Sequence, residues 1–498
     1  MNVTRRTKAA RPPPGSPALT RPRRTRFDGP VHHDPPPARS RLRASWRESD
    51  RLVPRVVVRP VLQFISDDGA AATVMVIAAL LALGWANSPW HAGYERLWST
   101  ELTVRLGNLV DLRDLSLRGW VNDAAMALFF LLAGLEMKRQ FVLGELRDRR
   151  AAALPVLAAL GGMVVPAVLY VAVNHGRVGA HGWGVPVATD IAFALGIVTL
   201  AGPRVPVGAK VFILTLAVVD DIGGIVIIAV FYAQHLHVGW LVVAAVCVGV
   251  TVLLRRADVR SMVSYIALGS VCWLALHQAG VEAAIVGVVF GLLTPARPFH
   301  QPELFGVEAR AMVDQIAASL EDGVISDHER DDNEITLERL ARLAAETASP
   351  LERLEHRLGP WVNLAIVPAF AFANAGVRLE SGGLEARVVG GVVLGLVVGK
   401  AVGIVGCSWL AVRVGLGRLP QGTTWRHLCG VGVTAGIGFT VALFISGIGF
   451  ADPRLVSSAK AGVLVASATA GLIGYLVLRF APEPAPEPAP EPEPAPDP

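Results

Sequence analysis

Charge is scarce in this chain. Only 17% of its 498 residues are Asp, Glu, Lys or Arg, against 52% hydrophobic. Cysteine is scarcer, with four residues at positions 247, 272, 407 and 429. Their spacing matches no metal motif, and each falls in an apolar run, so they read as small buried hydrophobes. Also missing is any apolar run before Leu62. The first 60 residues therefore do not read as a secretory signal, which needs an apolar core of about 7–15 residues. Rich in Arg and Pro, residues 1–60 read as a disordered cytoplasmic arm, solvated rather than bound to anionic lipid. Residues 481–498, "APEPAPEPAPEPEPAPDP", are low-complexity and favour extended polyproline II.

Between these tails, in residues 61–480, the apolar excess is not one core. It comes in blocks of about 18–25 residues, the length that crosses about 30 Å of hydrocarbon as a helix. Twelve blocks start near Gly69, Gly119, Ala152, Trp183, Val207, Gly239, Met262, Val281, Pro360, Arg387, Leu428 and Ala459, the one at 281–295 being short. The expected fold class is all-α, a polytopic membrane protein. Lys138, Arg139, Arg147, Arg149 and Arg150, then Arg255, Arg256 and Arg260, then Arg413 and Arg418, fall in connections on one side. By the positive-inside rule both termini are cytoplasmic. The basic balance thus reports topology, and no nucleic-acid partner is expected. An acidic insert at about 297–358 reads as solvated, with an amphipathic helix near "ITLERLARLAAE". Its aspartates lack the glycine and spacing of a calcium loop.

Against that background, "TLAVVDDIGGIVIIAVF" at 215–231 carries Asp220 and Asp221 in its middle. A second doublet, Asp67 and Asp68, stands just before the first block, where Ser66 or Asp67 caps the helix and acids suit its positive end. Asp220 and Asp221 have no such role. A charge at the bilayer centre costs about 2.5–3.5 kcal/mol on insertion scales, and such residues mark ion or proton paths. Partners are at hand. "WGVPVATDIAFALGIVTLAG" holds Thr189 and Asp190 beyond Pro186, which removes a backbone donor and favours a broken helix. Lys400 lies deep in "GGVVLGLVVGKAVGIVGCSW". At about 1.5 Å per residue these groups reach a common middle zone.

A second interruption follows in "VGVTAGIGFTVALFIS", where Gly432, Gly436 and Gly438 stand among Thr434 and Thr440. Glycine-mediated helix packing is the plainer account of such a run. Paired interruptions in opposed halves, however, point to a transporter with inverted repeats and a midplane site. Irregular backbone at that depth requires protein or a water-filled cavity around it.

The stretches "VATDIAFALG", "LAVVDDIGGIVIIAVFY", "FFLLAGLEMKRQ", "HRLGPWVNLAIVPAFAFANAGV" and "GVTAGIGFT" resemble the NhaA family of sodium/proton antiporters over about residues 60–480. The resemblance implies two broken helices crossing at mid-membrane, and secondary active exchange of Na+ or Li+ for protons by alternating access. It needs no cofactor and is not an enzyme activity. The implied setting is the inner membrane, and a homodimer is favoured. By the same resemblance Asp221 is the main cation ligand, with Asp220, Thr189 and Asp190 beside it. Lys400 would pair with Asp220. Glu136 and Glu355 match the family's pH-responsive acids at the cytoplasmic side. Gln140 stands where many members have a further Glu.

Three rivals remain in view. One fold hosts several functions, so a carrier of another solute is the runner-up. An intramembrane aspartyl protease would share one proton between two aspartates, which a third acid and Lys400 would spoil. A channel fits the paired broken helices less well. Among lesser residues, Asp123 reads as a helix-start residue, and Asn374 as a group satisfying broken backbone.

Overall fold

The computed structural model describes residues 68–106, 110–112, 115–233, 236–257, 259, 262–297, 302–320, 327–347, 349–379 and 383–482. The expected arm at 1–60, the caps Ser66 and Asp67, and the tail from 483 lie outside the described residues.

Each of the twelve apolar blocks is helical. In chain order the helices are α1 (Asp68–Ala86), α2 (His91–Ser99), α3 (Leu117–Val142), α4 (Arg149–Asn174), α5 (Ile191–Leu200), α6 (Val207–Phe231), α7 (Val238–Arg256), α8 (Met262–Ala279) and α9 (Ile285–Leu293). They continue with α10 (Pro302–Leu320), α11 (Asp327–Thr347), α12 (350–374), α13 (Ala386–Val414), α14 (Trp425–Thr434), α15 (Phe439–Ile448) and α16 (Pro453–Arg479). Among the described residues, six are long and apolar enough to cross a membrane by themselves, and up to nine spans result if each bent pair counts as one. The short block proves shorter still: α9 has 9 residues, about 14 Å of helix, less than half the hydrocarbon thickness. The acidic insert folds into α10 and α11, which pack on each other, and α11 contains the expected amphipathic stretch.

Two features escape the hydropathy pattern. Antiparallel strands β1 (Val104–Leu106) and β2 (Val110–Leu112) pair with Val104 opposite Leu112. Strands of three residues are too short for alternation to register. Helix α2 turns 115° from α1 and is anchored by buried Tyr94, whose hydroxyl donates to the Phe372 carbonyl at 2.7 Å. The cysteine expectation needs correcting: Cys247 and Cys272 are buried, but Cys407 is half-buried and Cys429 exposed. A lone cysteine on a bilayer-spanning helix can face outward without cost, because the surroundings there are apolar.

The core that positions the site is built on close helix contacts. Helices α4 and α13 approach at Gly161 and Gly403, where a Cβ on either would run into the other's backbone. The small-residue contact lets two apolar helices associate where burial from water gives no drive. α13 winds wide over Leu394–Gly399, as a π-turn, directly before Lys400. Such turns recur at functional sites.

Candidate functional site

Both interruptions are real, and they touch. The 3₁₀ segment Val178–Val187 meets α5 at a 50° bend, and α14 meets α15 at 41°. Pro186 lies near the end of the first segment, where its missing N–H removes a backbone bond just before the break. The backbone N–H of Asp190 donates to the Ile437 carbonyl at 2.6 Å, tying one break to the other. Gly438 packs so tightly that a Cβ would lie 2.9 Å from the Ala188 carbonyl oxygen, and a Cβ on Gly436 would overlap the Leu396 carbonyl. The glycines thus serve close packing at the crossing itself. Gly436→Ala is expected to cost about 1–3 kcal/mol, the usual range for overpacking. Thermal unfolding in detergent measures it, and an unchanged midpoint would mean the crossing can open without penalty.

Each break exposes unpaired backbone groups. Asp190 answers the N-terminal ends of both downstream halves. Its Oδ1 accepts from the Phe193 N–H in α5 at 3.1 Å. Its Oδ2 accepts from the Thr440 N–H at 3.0 Å and the Thr440 hydroxyl at 2.7 Å, at the start of α15. One buried carboxylate therefore caps two helices whose positive ends converge. Both its oxygens are committed. Thr189 faces the opposite ends: its Oγ1 lies 2.9 Å from the Ala435 carbonyl, beyond α14, and 2.6 Å from Asp220 Oδ2.

Lys400 completes this polar centre. Its Nζ donates to Asp220 Oδ2 and to Thr189 Oγ1, and both charged side chains are fully buried. Asp220 is thus the paired member of the doublet. Asp221 has no ion-pair partner among the described residues, and its Oδ1 is buried without a hydrogen bond. It keeps 7% of its surface accessible where Asp220 keeps 0%. The asymmetry follows from helix geometry, since neighbours on a helix point about 100° apart. A dyad sharing one proton is not built here: Asp190 is occupied as a cap and Asp220 by Lys400.

Asp221 stands between two openings on one face of α6. A cavity of about 580 Å³ is lined by Gln140, Arg147, Asp148, Val211, Leu214 and Thr215. Leu214 and Asp221 are seven residues apart, hence on the same face. Beyond Asp221, Ile225 and Ile228 continue that face and line a crevice with Phe130 and Phe444, too narrow to hold a water molecule. The α6 face that carries Asp221 is thus approached from the end where Gln140 and Arg147 lie, and closed at the other.

The two acids expected at that approached end also meet. Arg139 binds Glu136 at 2.8 Å and Glu355 at 3.3 Å, and Gln140 Nε2 donates to Glu136 at 3.0 Å. Burial, with Glu136 nearby, pushes the Glu355 carboxyl above its ordinary value of 4.5, while Arg139 pulls it down. The folded state then holds a proton that the unfolded chain releases as pH rises through that value. Stability falls over the window from about 4.5 upward to the raised value. Glu355→Gln is expected to flatten that slope, as measured by unfolding midpoints across pH 4–7; an unchanged slope would remove Glu355 as a titrating group.

Several polar residues went unread in the sequence. Lys460 is buried, and its Nζ donates to Asn374 Oδ1 at 2.9 Å. Asn374 in turn donates to Asn122 Oδ1 at 2.7 Å, so it ties side chains together as well as bonding the Phe370 carbonyl. Taking the last span from Ala459 put Lys460 at its edge; α16 begins at Pro453 and carries it inside. Asp123 is no helix-start residue either: Ser116 is the cap, and Asp123 binds His277 Nδ1 at 3.1 Å.

Comparison with known proteins finds relatives over most of the chain. Residues 62–478 match the family model described as Na+/H+ antiporter 1. A Na(+)/H(+) antiporter NhaA 2 of Sorangium cellulosum is 42% identical over 447 residues, covering 89% of this chain and 94% of the relative. A protein of the same name from Myxococcus xanthus is 42% identical over 450 residues, with the same coverages of 89% and 94%. A Na(+)/H(+) antiporter NhaA of Rhodopirellula baltica is 42% identical over 436 residues, covering 86% and 95%.

Proposed function

This chain belongs to the Na+/H+ antiporter 1 family, and we propose that it exchanges Na+ for protons at Asp221 by alternating access. It is a multi-pass membrane protein whose transported ions are Na+ and H+.

The observation that carries the residue-level reading is the asymmetry of the doublet. Asp220 is neutralised by Lys400, whereas Asp221 is unpaired and lies on the α6 face that lines the 580 Å³ cavity. A buried carboxylate without a partner is costly, and either a small hard cation or a proton relieves that cost. The two compete for the same oxygens. Thr189 and Asp220 flank the ion, and the doublet titrates as a set with Lys400. Asp190 keeps the crossing charge-balanced while each broken half shifts. When the crossing rocks, the cavity closes and the crevice beyond Ile225 opens. Exchange follows because only a loaded Asp221 crosses.

The remaining assignments belong to the same proposal. Li+ takes the place of Na+ at the site. The protein sits in the inner membrane with both termini, the insert at 297–358 and the tails at 1–60 and 481–498 on the cytoplasmic side. It is a homodimer. Glu136 and Glu355, bridged by Arg139, adjust activity to pH at the mouth of the cavity.

Everted vesicles from antiporter-deficient bacteria expressing the chain test the function. Added Na+ collapses an imposed pH gradient, followed with a pH-sensitive dye. No response from pH 6 to 9 with folded protein present would sink it.

A further inference from the structure

The crevice beyond Ile225 contains one carboxyl group that the exchange site does not use. Glu282 lines it, in the connection between α8 and α9, and its Oε1 is enclosed without a hydrogen-bond partner. The other lining residues are apolar: Phe130, Ile225, Ile228, Ala284, Ile285 and Phe444. The Ala284 N–H bonds the carboxyl, but the enclosed Oε1 goes unanswered, and an unsatisfied buried polar atom costs about 1–3 kcal/mol.

A second acid and a histidine stand next to it. Asp123 is within electrostatic reach of Glu282. Its carboxylate binds His277 Nδ1, and these two side chains keep 22% and 27% of their surface accessible, whereas Glu282 Oε1 is enclosed. The imidazole is held in plane by Trp273, stacked at 5.7 Å, itself stacked on Trp120 at 6.1 Å. Asp123 is presented by a π-turn, Val121–Ala125, in α3. That turn is fixed from the other side by the Asn122–Asn374–Lys460 chain.

We propose that Glu282 is a proton-loading carboxyl for the face of the membrane opposite the 580 Å³ cavity, fed through Asp123 and His277. The inference rests on the exchange reading above. A proton suits this position better than a metal cation. A protonated carboxyl is neutral and tolerates an apolar crevice, whereas a bare cation there has a single carboxylate to meet it. Ile225 and Ile228 lie four and seven residues beyond Asp221 on the same face of α6, so the crevice runs about 10 Å along the helix from the doublet. When the crossing rocks and water enters the crevice, Glu282 gives its proton to the Asp221 carboxylate as Na+ leaves. The Glu282 carboxylate then takes a new proton from solution by way of His277. The charged groups acting on Glu282 are thus Asp123 and, through it, His277; α6 and α15 offer Ile225, Ile228 and Phe444.

The test is one-sided. Vesicles of a single orientation are prepared with pH on the cavity face fixed, and pH on the Glu282 face is varied while 22Na+ flux is followed. In the wild type, flux depends on pH at the Glu282 face, by up to about tenfold per unit as a one-proton step requires. Glu282→Gln is expected to flatten that dependence and leave the cavity-face pH profile intact, and Glu282→Asp to restore it. A merely structural role would lower flux at every pH without changing either profile, and that result overturns the proposal. So does an unchanged profile. Should Glu282→Gln not accumulate, Asp123→Asn read in the same way decides. A wild type with no Na+ flux would instead defeat the exchange reading itself.

Discussion

Asp221→Asn is expected to abolish Na+-driven dissipation of the pH gradient in everted vesicles while leaving the protein folded. The substitution keeps size and shape but removes the unpaired charge. Truncating one partner of a buried charge pair costs about 2–5 kcal/mol, and every 1.4 kcal/mol is about tenfold, so Na+ affinity falls by at least roughly thirtyfold. The competing proton site disappears with it, which makes the functional loss complete. Folding is spared because the described structure gives Asp221 no ion pair, and its Oδ1 makes no hydrogen bond. If exchange survives at near wild-type apparent affinity, the cation is bound elsewhere, and Asp220 is the next residue to examine.

Lys400→Met is expected to have the opposite profile, a large loss of stability first. It leaves Asp220 fully buried and without its ion pair, with Thr189 as the remaining hydrogen-bond partner among the described residues. Breaking a buried pair by removing one partner costs about 3–5 kcal/mol, whereas replacing both partners with neutral groups is often tolerated. The double variant Lys400→Met with Asp220→Asn should therefore recover most of the unfolding midpoint lost by the single one. Detergent-solubilised protein followed by tryptophan fluorescence reads both. A single variant as stable as the wild type would show that Asp220 is not charged in the resting protein, and a double variant no better than the single would assign the loss to packing around Lys400.

The two experiments separate roles that sit next to each other in sequence. A doublet of identical residues gives no hint of which member is paired. The helix decides: with Asp220 turned toward Lys400 on α13, Asp221 must face the cavity side of α6.

Much of this protein is legible from local chemistry. A run of apolar residues long enough for the bilayer is a property of the sequence alone, and so is the cost of placing Asp220, Asp221, Asp190 and Lys400 inside such runs. The two interruptions were visible for the same reason, since Pro186 and the glycines from Gly432 to Gly438 are poor helix residues wherever they occur. The groups at block edges were not legible. Glu282 and Lys460 each lie within a residue of where an apolar block starts, so neither stands out as a charge inside an apolar run. Asp123 looked like a helix start because its partner, His277, is more than 150 residues away in the chain.

What the sequence by itself determined is therefore that Asp190, Asp220, Asp221 and Lys400 are buried and the depth at which they lie, because hydropathy and helix rise are local. What only the tertiary structure decided is who faces whom: Asp190 as a cap for two helices, Lys400 on Asp220 rather than Asp221, and Glu282 in a crevice on the Asp221 face. Those pairings depend on how α6, α13 and the two broken helices pack, and packing is set by contacts between residues far apart in the chain.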